Sequence, residues 1–145
     1  MVSKKARLLI LVSSGLFLLL DQFLKWQALY HWTKPRLFSP YFGWQLYLNN
    51  GTAFNLRLAN NFIILLTLPM IFLIGYLVIR EFSRNKPAPF LAWTLTFAGA
   101  ISNLIDRVAY QRVVDYFLIG TAIINIGDIM IVVGLGIYLL SLRPA

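Results

Sequence analysis

Four apolar segments, separated by short polar stretches, constrain this chain more than any other feature of its sequence. They cover about residues 6–29, 61–80, 90–110 and 125–142. A helix needs about 20 apolar residues to cross the hydrocarbon of a bilayer, and the segments approach or reach that length. The sequence therefore predicts an all-α membrane protein, with four transmembrane helices in a single domain over residues 1–145.

Charge and residue composition agree with a membrane protein. Only 12% of the residues are charged, against about 25% in soluble domains. The net charge of +8 comes without a long basic run, so it favours contact with anionic lipid head groups over nucleic acid. The chain has no cysteine and one histidine, His31, so we expect no metal site and no cofactor. We take a monomer as the expected state.

The first apolar segment allows two interpretations. Lys4, Lys5 and Arg7 precede it, as basic residues precede the apolar core of a secretory signal peptide. However, no A-x-A-like cleavage site follows, and the apolar stretch continues past Asp21 and Lys25. These two observations favour a first membrane helix.

The region of about residues 34–58 has a different pattern. Apolar and aromatic side chains alternate at Trp44, Leu46 and Leu48, and Asn49-Asn50-Gly51 is typical of a turn. We interpret the region as a small β element outside the membrane that rests on the interface. The alternative is an irregular aromatic belt that anchors the helix ends.

Positive charge in the short loops predicts the orientation of the helices. On one side lie Lys4, Lys5, Arg7, Arg80, Arg84, Lys86 and Arg143; the other side has Lys34, Arg36, Arg57 and Arg112. The bias places both termini in the cytoplasm and the β element outside. Four of the five acids then fall near the outer face: Asp21, Asp106, Asp115 and Asp128. The fifth, Glu81, lies in a charged stretch that we expect to be solvated.

An ionised carboxylate inside a membrane costs about 2.5 kcal/mol or more, so such acids are functional candidates unless a cation pairs with them. Asp21 and Lys25 are spaced i,i+4 and are expected to pair on one helix face. Asp106 and Arg107 point about 100° apart on a helix. Each of these two must therefore find a partner elsewhere.

Asp115 and Asp128 have no obvious cation beside them, Arg112 being the nearest in sequence. The third helix ends and the fourth begins on the same side, so the two carboxyls can converge. Two carboxyls in one site share a proton, and such a pair can activate water and protonate a carbonyl oxygen. Two alternatives remain. One is a small proton-coupled transporter or channel subunit that uses the acids as a relay; the other is a non-catalytic membrane scaffold or lipid-binding protein.

Five short motifs follow one another along the chain. They are Asp21-Gln22 with Lys25, Asn49-Asn50-Gly51-Thr52-Ala53-Phe54, GAISNLIDR over 99–107, Val113-Val114-Asp115, and Asn125-Ile126-Gly127-Asp128. Together they resemble the lipoprotein signal peptidases, or signal peptidase II. Members of that family are aspartic peptidases of the bacterial inner membrane. They cut prolipoproteins before a cysteine that already carries diacylglycerol.

The resemblance implies a site as well as an activity. Its catalytic dyad falls on Asp115 and Asp128, near the outer face of the membrane. It also implies a small extracytoplasmic β cradle and membrane lipid around the enzyme. The supporting or substrate-binding positions are Asn49, Gly51, Asn103, Asp106, Arg107, Asn125, Asp21 and Lys25.

The chain departs from the family pattern at a few places. Thr52 and Ser102 stand where many members have smaller residues, and Gly127 stands where they have alanine. Only 12 residues link Asp115 to Asp128, without the longer polar insertion common in the family. The shorter link is therefore expected to change the shape of the flap over the substrate and to leave the dyad in place.

A mechanism follows as a hypothesis. Asp128 lies at a helix N-terminus, where the dipole favours an anion by about 0.3–1 kcal/mol. We therefore expect Asp128 to be the ionised base and Asp115 the protonated partner. Asn103 and Asn125 would orient the two carboxyls. Two roles stay open for Arg107: polarising a carbonyl of the substrate, or neutralising a nearby acid.

Overall fold

A computed structural model describes residues 3–32, 34–51, 59–84 and 86–143. These residues form four helices and a four-stranded sheet. The elements are α1 (Lys4–Tyr30), β1 (Arg36–Ser39), β2 (Phe42–Asn49), α2 (Asn60–Arg84), α3 (Pro87–Tyr110), β3 (Val113–Ile119), β4 (Ala122–Ile124) and α4 (Ile126–Ser141).

Three of the helices are long and apolar enough to cross a membrane: α1 with 27 residues, α2 with 25 and α3 with 24. The fourth apolar segment also forms a helix, but α4 has only 16 residues. At 1.5 Å per residue its length is about 24 Å, short of a hydrocarbon layer of about 30 Å. The predicted helix positions agree closely with these bounds, and the largest difference is that α2 continues to Arg84 instead of ending at Arg80.

The outer surface of the helices is apolar. Large side chains such as Leu9, Phe72 and Val132 are exposed, which is the expected state of residues that face lipid. The buried side chains, in contrast, include many polar and charged ones, concentrated where α1, α3, α4 and β3 meet. A soluble domain has the opposite arrangement, so the packing supports a multi-pass membrane protein.

The sheet is antiparallel throughout, with strand order β1-β2-β3-β4. The β element predicted over residues 34–58 is present as β1 and β2, while residues 52–58 lie outside the described residues. The sequence did not predict that the stretch after α3 would complete this sheet. In the register of β2 against β3, Tyr47 lies opposite Asp115 and Asn49 opposite Val113. The pairing therefore brings Asn49 next to Asp115.

Aromatic rings fix the sheet to the end of α1. The ring of Tyr116, on β3, stacks on Trp44 of β2 at 6.1 Å and meets Trp32 edge-on at 6.2 Å. Tyr116 packs in the same cluster as Ala28 of α1 and Val114. The strand that carries Asp115 is thus held against the helical bundle by buried apolar contacts.

Helices α3 and α4 pack through glycine. A Cβ on Gly99 would collide with the carbonyl of Gly127, and a Cβ on Gly134 would lie 2.6 Å from the carbonyl oxygen of Ala92. Small residues allow this close approach of two backbones in a membrane bundle. The contact at Gly127 lies in the first turn of α4, beside Asp128.

One expectation about the charged residues is wrong. Glu81 was expected to be solvated, but it is only 6% exposed. Its carboxylate faces Arg80 and Arg84, at 3.6 Å and 3.9 Å. The continuation of α2 to Arg84 carries Glu81 onto an inward-facing position of the helix, which explains its burial.

Candidate active site

Asp115 is buried in the centre of β3, with 1% of its surface exposed. Its two oxygens accept hydrogen bonds from the amides of Asn49 (3.1 Å) and Asn125 (2.6 Å). Burial raises the pKa of Asp115 to about 6, and the nearby charge of Asp128 acts in the same direction. The two asparagine hydrogen bonds and the charge of Lys25 oppose this rise. Asp115 is therefore a carboxyl that holds its proton unusually well.

Asp128 lies in the first turn of α4, as the sequence predicted. Its backbone N–H donates to Oδ1 of Asn125 at 2.8 Å, and its own Oδ2 accepts from the backbone N–H of Asn125 at 3.3 Å. This reciprocal arrangement is a capping box. The amide of Asn103 donates to the other oxygen of Asp128 at 2.8 Å. Asp128 is thus fixed in orientation at the positive end of the helix dipole.

Both carboxyls line one cavity of about 580 Å³. The cavity has a polar end, where Asn49, Asn103 and Arg107 lie beside the two acids. Its remaining wall comes mainly from α2, α3, α4 and β4. Apolar side chains dominate this wall: Met70, Ile71, Ile74, Leu104, Ile123, Ile124 and Ile131. The cavity can therefore accept a ligand that has a polar group at one end and a long apolar part.

The acids of this chain divide into two kinds. Lys25 Nζ lies 2.8 Å from Asp21 and 2.9 Å from Asp106, and all three side chains are buried. The predicted i,i+4 pair of Asp21 and Lys25 is confirmed. Lys25 is also the partner of Asp106, for which the sequence predicted no particular residue. Within the described ranges, in contrast, no lysine, arginine or histidine lies within ion-pair distance of Asp115 or Asp128.

Asp21 and Asp106 also hold the elements that carry the two unpaired acids. Asp106 accepts a hydrogen bond from the backbone N–H of Val114, next to Asp115, at 3.0 Å. Asp21 accepts from the backbone N–H of Ile126 at 2.9 Å and from the hydroxyl of Tyr116 at 2.8 Å. Burial, and after it the charge of Asp21, raise the pKa of Tyr116, whose hydroxyl therefore stays a hydrogen-bond donor. The Asp21–Lys25–Asp106 cluster thus fixes the start of both β3 and α4.

Arg107 lies at the edge of the cavity and is mostly buried. Its guanidinium donates to the carbonyl of Gly51 at 2.7 Å and to Asn60 at 3.3 Å. In the part of the chain that the structure describes, no carboxylate lies within ion-pair distance of Arg107. Arg107 therefore forms no direct ion pair with an acid among these residues, and both roles predicted for it stay predictions. The guanidinium binds neutral oxygens and connects the end of the sheet to the start of α2.

Sequence reasoning missed several residues of this region. Ser102 and Gln22 connect the ion cluster, since Ser102 donates to Asp21 at 2.6 Å and Gln22 donates to Asp106 at 3.1 Å. Asn60 contacts Arg107, and Tyr116 contacts Asp21. Gln22 and Ser102 lie within the motifs quoted above, which was the available signal. Nothing in the local sequence distinguishes Asn60 or Tyr116.

The polar groups around the cavity suit acid–base chemistry on a bound carbonyl group. Among the described residues, no cluster of His, Cys, Asp or Glu could hold a metal ion. A carboxyl with a raised pKa beside a second carboxyl can share one proton, so one member can activate water while the other donates.

The fold and the site together place this protein in a class: it is a multi-pass membrane protein with a pair of buried carboxyls in a cavity between its helices. The family model for signal peptidase (SPase) II matches residues 13–143. The chain belongs to the signal peptidase II family, as the motifs predicted.

Curated relatives and solved structures agree with this membership. The lipoprotein signal peptidase of Polynucleobacter necessarius is 33% identical over 129 residues, covering 81% of this chain and 78% of that protein. Those of Allorhizobium ampelinum and Clostridioides difficile are 35% and 42% identical. These two alignments cover 64% and 59% of this chain and span only 61% and 60% of the relatives' length.

Two solved structures, both described as bacterial membrane enzymes studied by the in meso method, share the fold. The first has a TM-score of 0.81 and 25% identity, covering 96% of this chain and 88% of the other. The second has a TM-score of 0.79 and 24% identity, covering 98% and 96%. The arrangement of helices and sheet therefore matches known membrane enzymes over nearly their full length.

Proposed function

We propose that this chain is an aspartic endopeptidase that removes signal peptides from prolipoproteins, cutting before the diacylglyceryl-modified cysteine. The observation that carries the proposal is the division of the acids. Asp21, Asp106 and Glu81 each have a cation within ion-pair distance. Asp115 and Asp128 face one cavity and, among the described residues, their oxygens accept hydrogen bonds only from amide and backbone N–H groups. Buried acids without a cation are expensive, so a function must retain them.

The proposed mechanism uses one proton shared between the two acids. Asp128 is the ionised base, since its oxygens accept hydrogen bonds from the amide of Asn103 and from the backbone N–H of Asn125, the N-cap of α4. Asp115, whose pKa is raised to about 6, is the protonated partner. Asp128 takes a proton from a water molecule, and the oxygen of that water attacks the scissile carbonyl carbon. Asp115 gives its proton to the carbonyl oxygen.

The second half of the reaction returns the proton. The tetrahedral intermediate transfers a hydroxyl proton back to Asp115, and the proton on Asp128 passes to the leaving amine as the C–N bond breaks. Asn49 and Asn125 keep the Asp115 carboxyl oriented through both steps. No covalent intermediate with the enzyme forms, and water supplies the new carboxyl oxygen.

The shape of the cavity supports a lipid-modified substrate. Its apolar wall, formed by residues such as Met70, Ile74 and Ile131, suits the side chains of a signal peptide and the acyl chains on the cysteine. The guanidinium of Arg107 donates a hydrogen bond to the carbonyl oxygen of Gly51. From the same place at the edge of the cavity it would also donate to a carbonyl oxygen of the substrate. These contacts would place the scissile bond at the polar end.

The proposed membrane arrangement has four spanning helices, in one domain, acting as a monomer in the bacterial inner membrane. The short helix α4 would cross the membrane together with the end of β4, the strand that precedes it. Both termini would lie in the cytoplasm, because the cation-rich end of the helices includes Arg80, Arg84 and Arg143. The Asp115–Asp128 cavity and the sheet would then lie at the outer face.

The test uses the purified full chain and a synthetic precursor peptide with a diacylglyceryl cysteine. Mass spectrometry of the products should show one cut, directly before the modified cysteine. The matched control is the same peptide with an unmodified cysteine, which we expect to be cut at least about tenfold more slowly. Equal cleavage of both peptides would contradict the proposed substrate, and no cleavage of either would contradict the proposed activity.

A further inference from the structure

A second cavity lies at the end of the helices opposite the Asp115–Asp128 cavity. Its volume is about 480 Å³. Helix α2 connects the two ends, from Asn60 beside Arg107 to Arg84, a distance of about 37 Å along 25 residues. The polar and charged groups that line this second cavity are Arg80, Glu81, Arg84, Lys86, Tyr138 and Ser141.

Glu81 is the unusual group in this cavity. It is 6% exposed, and both neighbouring arginines approach the same oxygen, Oε1, at 3.6 Å and 3.9 Å. Its other oxygen, Oε2, is buried and has no hydrogen-bond partner among the described residues. A buried carboxylate oxygen without a donor is costly and uncommon. Among the described residues, therefore, no group donates a hydrogen bond to Oε2, and a ligand in the cavity could supply that donor.

The cations around Glu81 call for a second, anionic group. Arg80, Arg84 and Lys86 carry three positive charges against the one negative charge of Glu81. Arginine and lysine are the usual ligands of phosphate. The cavity lies at the end of apolar helices, where lipid head groups lie. The exposed apolar residues Ile79 and Leu139 are sequence neighbours of the lining residues Arg80 and Tyr138.

We propose that this cavity binds the phosphoethanolamine head group of a membrane lipid. The phosphodiester binds Arg84 and Lys86, and the primary ammonium donates a hydrogen bond to Oε2 of Glu81. Choline has no N–H to donate, and a glycerol head group has no positive charge for the carboxylate. The proposal uses no residue of the peptidase site, so it stands or falls independently of the proposed activity.

Native mass spectrometry of the full chain in detergent tests the head-group preference. Phosphatidylethanolamine should bind about tenfold more tightly than phosphatidylcholine or phosphatidylglycerol of the same acyl chains, the effect of one charge-assisted hydrogen bond. Water-soluble glycerophosphoethanolamine, which has the same head group without acyl chains, is tested in parallel. If it binds as tightly as the lipid, the head-group recognition holds and the natural ligand is a soluble molecule. Equal binding of all three lipids would overturn the proposal.

Two variants and a control locate the site. In Glu81→Gln the preference for ethanolamine over choline should fall below about threefold, while Arg84→Gln should weaken all phospholipids about tenfold. Lys5→Gln removes a cation that lies at the same end of the helices but outside the cavity. This variant should change neither the preference for ethanolamine nor the affinity for phospholipids. The circular dichroism spectrum and the thermal unfolding midpoint in detergent, compared with those of the unmodified protein, confirm that each variant is folded. An unchanged preference in Glu81→Gln, or an effect of Lys5→Gln equal to that of Arg84→Gln, would contradict the assignment.

Discussion

Asn103 donates a hydrogen bond to Asp128 across the α3–α4 interface, from Nδ2 to Oδ1 at 2.8 Å. The oxygen of the same amide accepts from Lys25 at 3.0 Å. Lys25 therefore fixes which way the Asn103 amide points, because only the N–H side of the amide is left for Asp128. Through this one side chain, the buried ion cluster of α1 and α3 determines the orientation of the proposed base.

Removing the Asn103 amide should impair chemistry more than binding. In Asn103→Ala, Asp128 keeps its backbone contacts but loses its side-chain donor, so its carboxylate can rotate. We expect kcat to fall about 100-fold with KM changed less than about threefold. Steady-state kinetics on the lipidated peptide provide the measurement. A large rise in KM at unchanged kcat would instead assign Asn103 to substrate binding.

Lys25 should matter for folding as much as for the site. Lys25→Met leaves the buried carboxylates of Asp21 and Asp106 without a cation, which should lower the free energy of unfolding by about 3–5 kcal/mol. Adding Asp21→Asn and Asp106→Asn removes those charges and should recover part of the loss. The control is Lys34→Met, at an exposed lysine. Denaturation in detergent measures the free energy of unfolding of each variant. A decrease below about 1 kcal/mol in Lys25→Met would refute the structural role of the cluster.

The proton on Asp115 predicts a pH dependence. The reaction needs Asp115 protonated, and its pKa is about 6, so kcat/KM should fall as the pH rises through about 6. The Asn49 hydrogen bond favours the ionised form. Asn49→Ala should therefore raise the pKa of Asp115 and move this fall in activity to higher pH.

The matched control for this pH shift is Asn50→Ala, at the adjacent exposed residue, which should leave the profile in place. Rate measurements from pH 4.5 to pH 8 provide the test. A shift of the Asn49→Ala profile toward lower pH would contradict the role given to Asp115.

Close packing of α3 on α4 gives a further prediction. A side chain at Gly99 would meet the carbonyl of Gly127, so Gly99→Ala should displace the first turn of α4, which carries Asp128. We expect a loss of about 1–3 kcal/mol in stability and slower cleavage. Gly136→Ala is the control, because among the described residues nothing beyond its chain neighbours and the backbone of its own helix lies within 4 Å of the added Cβ. Similar effects of the two variants on activity would show that the contact does not position Asp128.

Local patterns in the sequence predicted much of this molecule. Runs of apolar residues predicted α1, α2 and α3, and the i,i+4 spacing predicted the pair of Asp21 and Lys25. These features depend on residues close together in the chain, where helix geometry fixes the outcome. The family motifs then predicted membership of the signal peptidase II family, which the match to the family model confirmed.

Contacts between distant residues could not be predicted in the same way. The pairing of β2 with β3 joins residues more than 60 positions apart, and no local pattern specifies such a partner. The burial of Glu81 depends on how far α2 continues and on what packs against it. Likewise, the contacts of Asn60 with Arg107 and of Tyr116 with Asp21 form only when separate elements meet.

The most direct test of the central claim compares Asp115→Asn, Asp128→Asn and the double variant in single-turnover cleavage of the lipidated precursor. If the two acids act as one catalytic unit, each single substitution should reduce the rate about 10⁴-fold or more, and the double variant should be no slower than the slower single one. Binding of the precursor should remain within about threefold of the unmodified protein. Retained cleavage in either single variant, within about tenfold of the unmodified protein, would contradict the account.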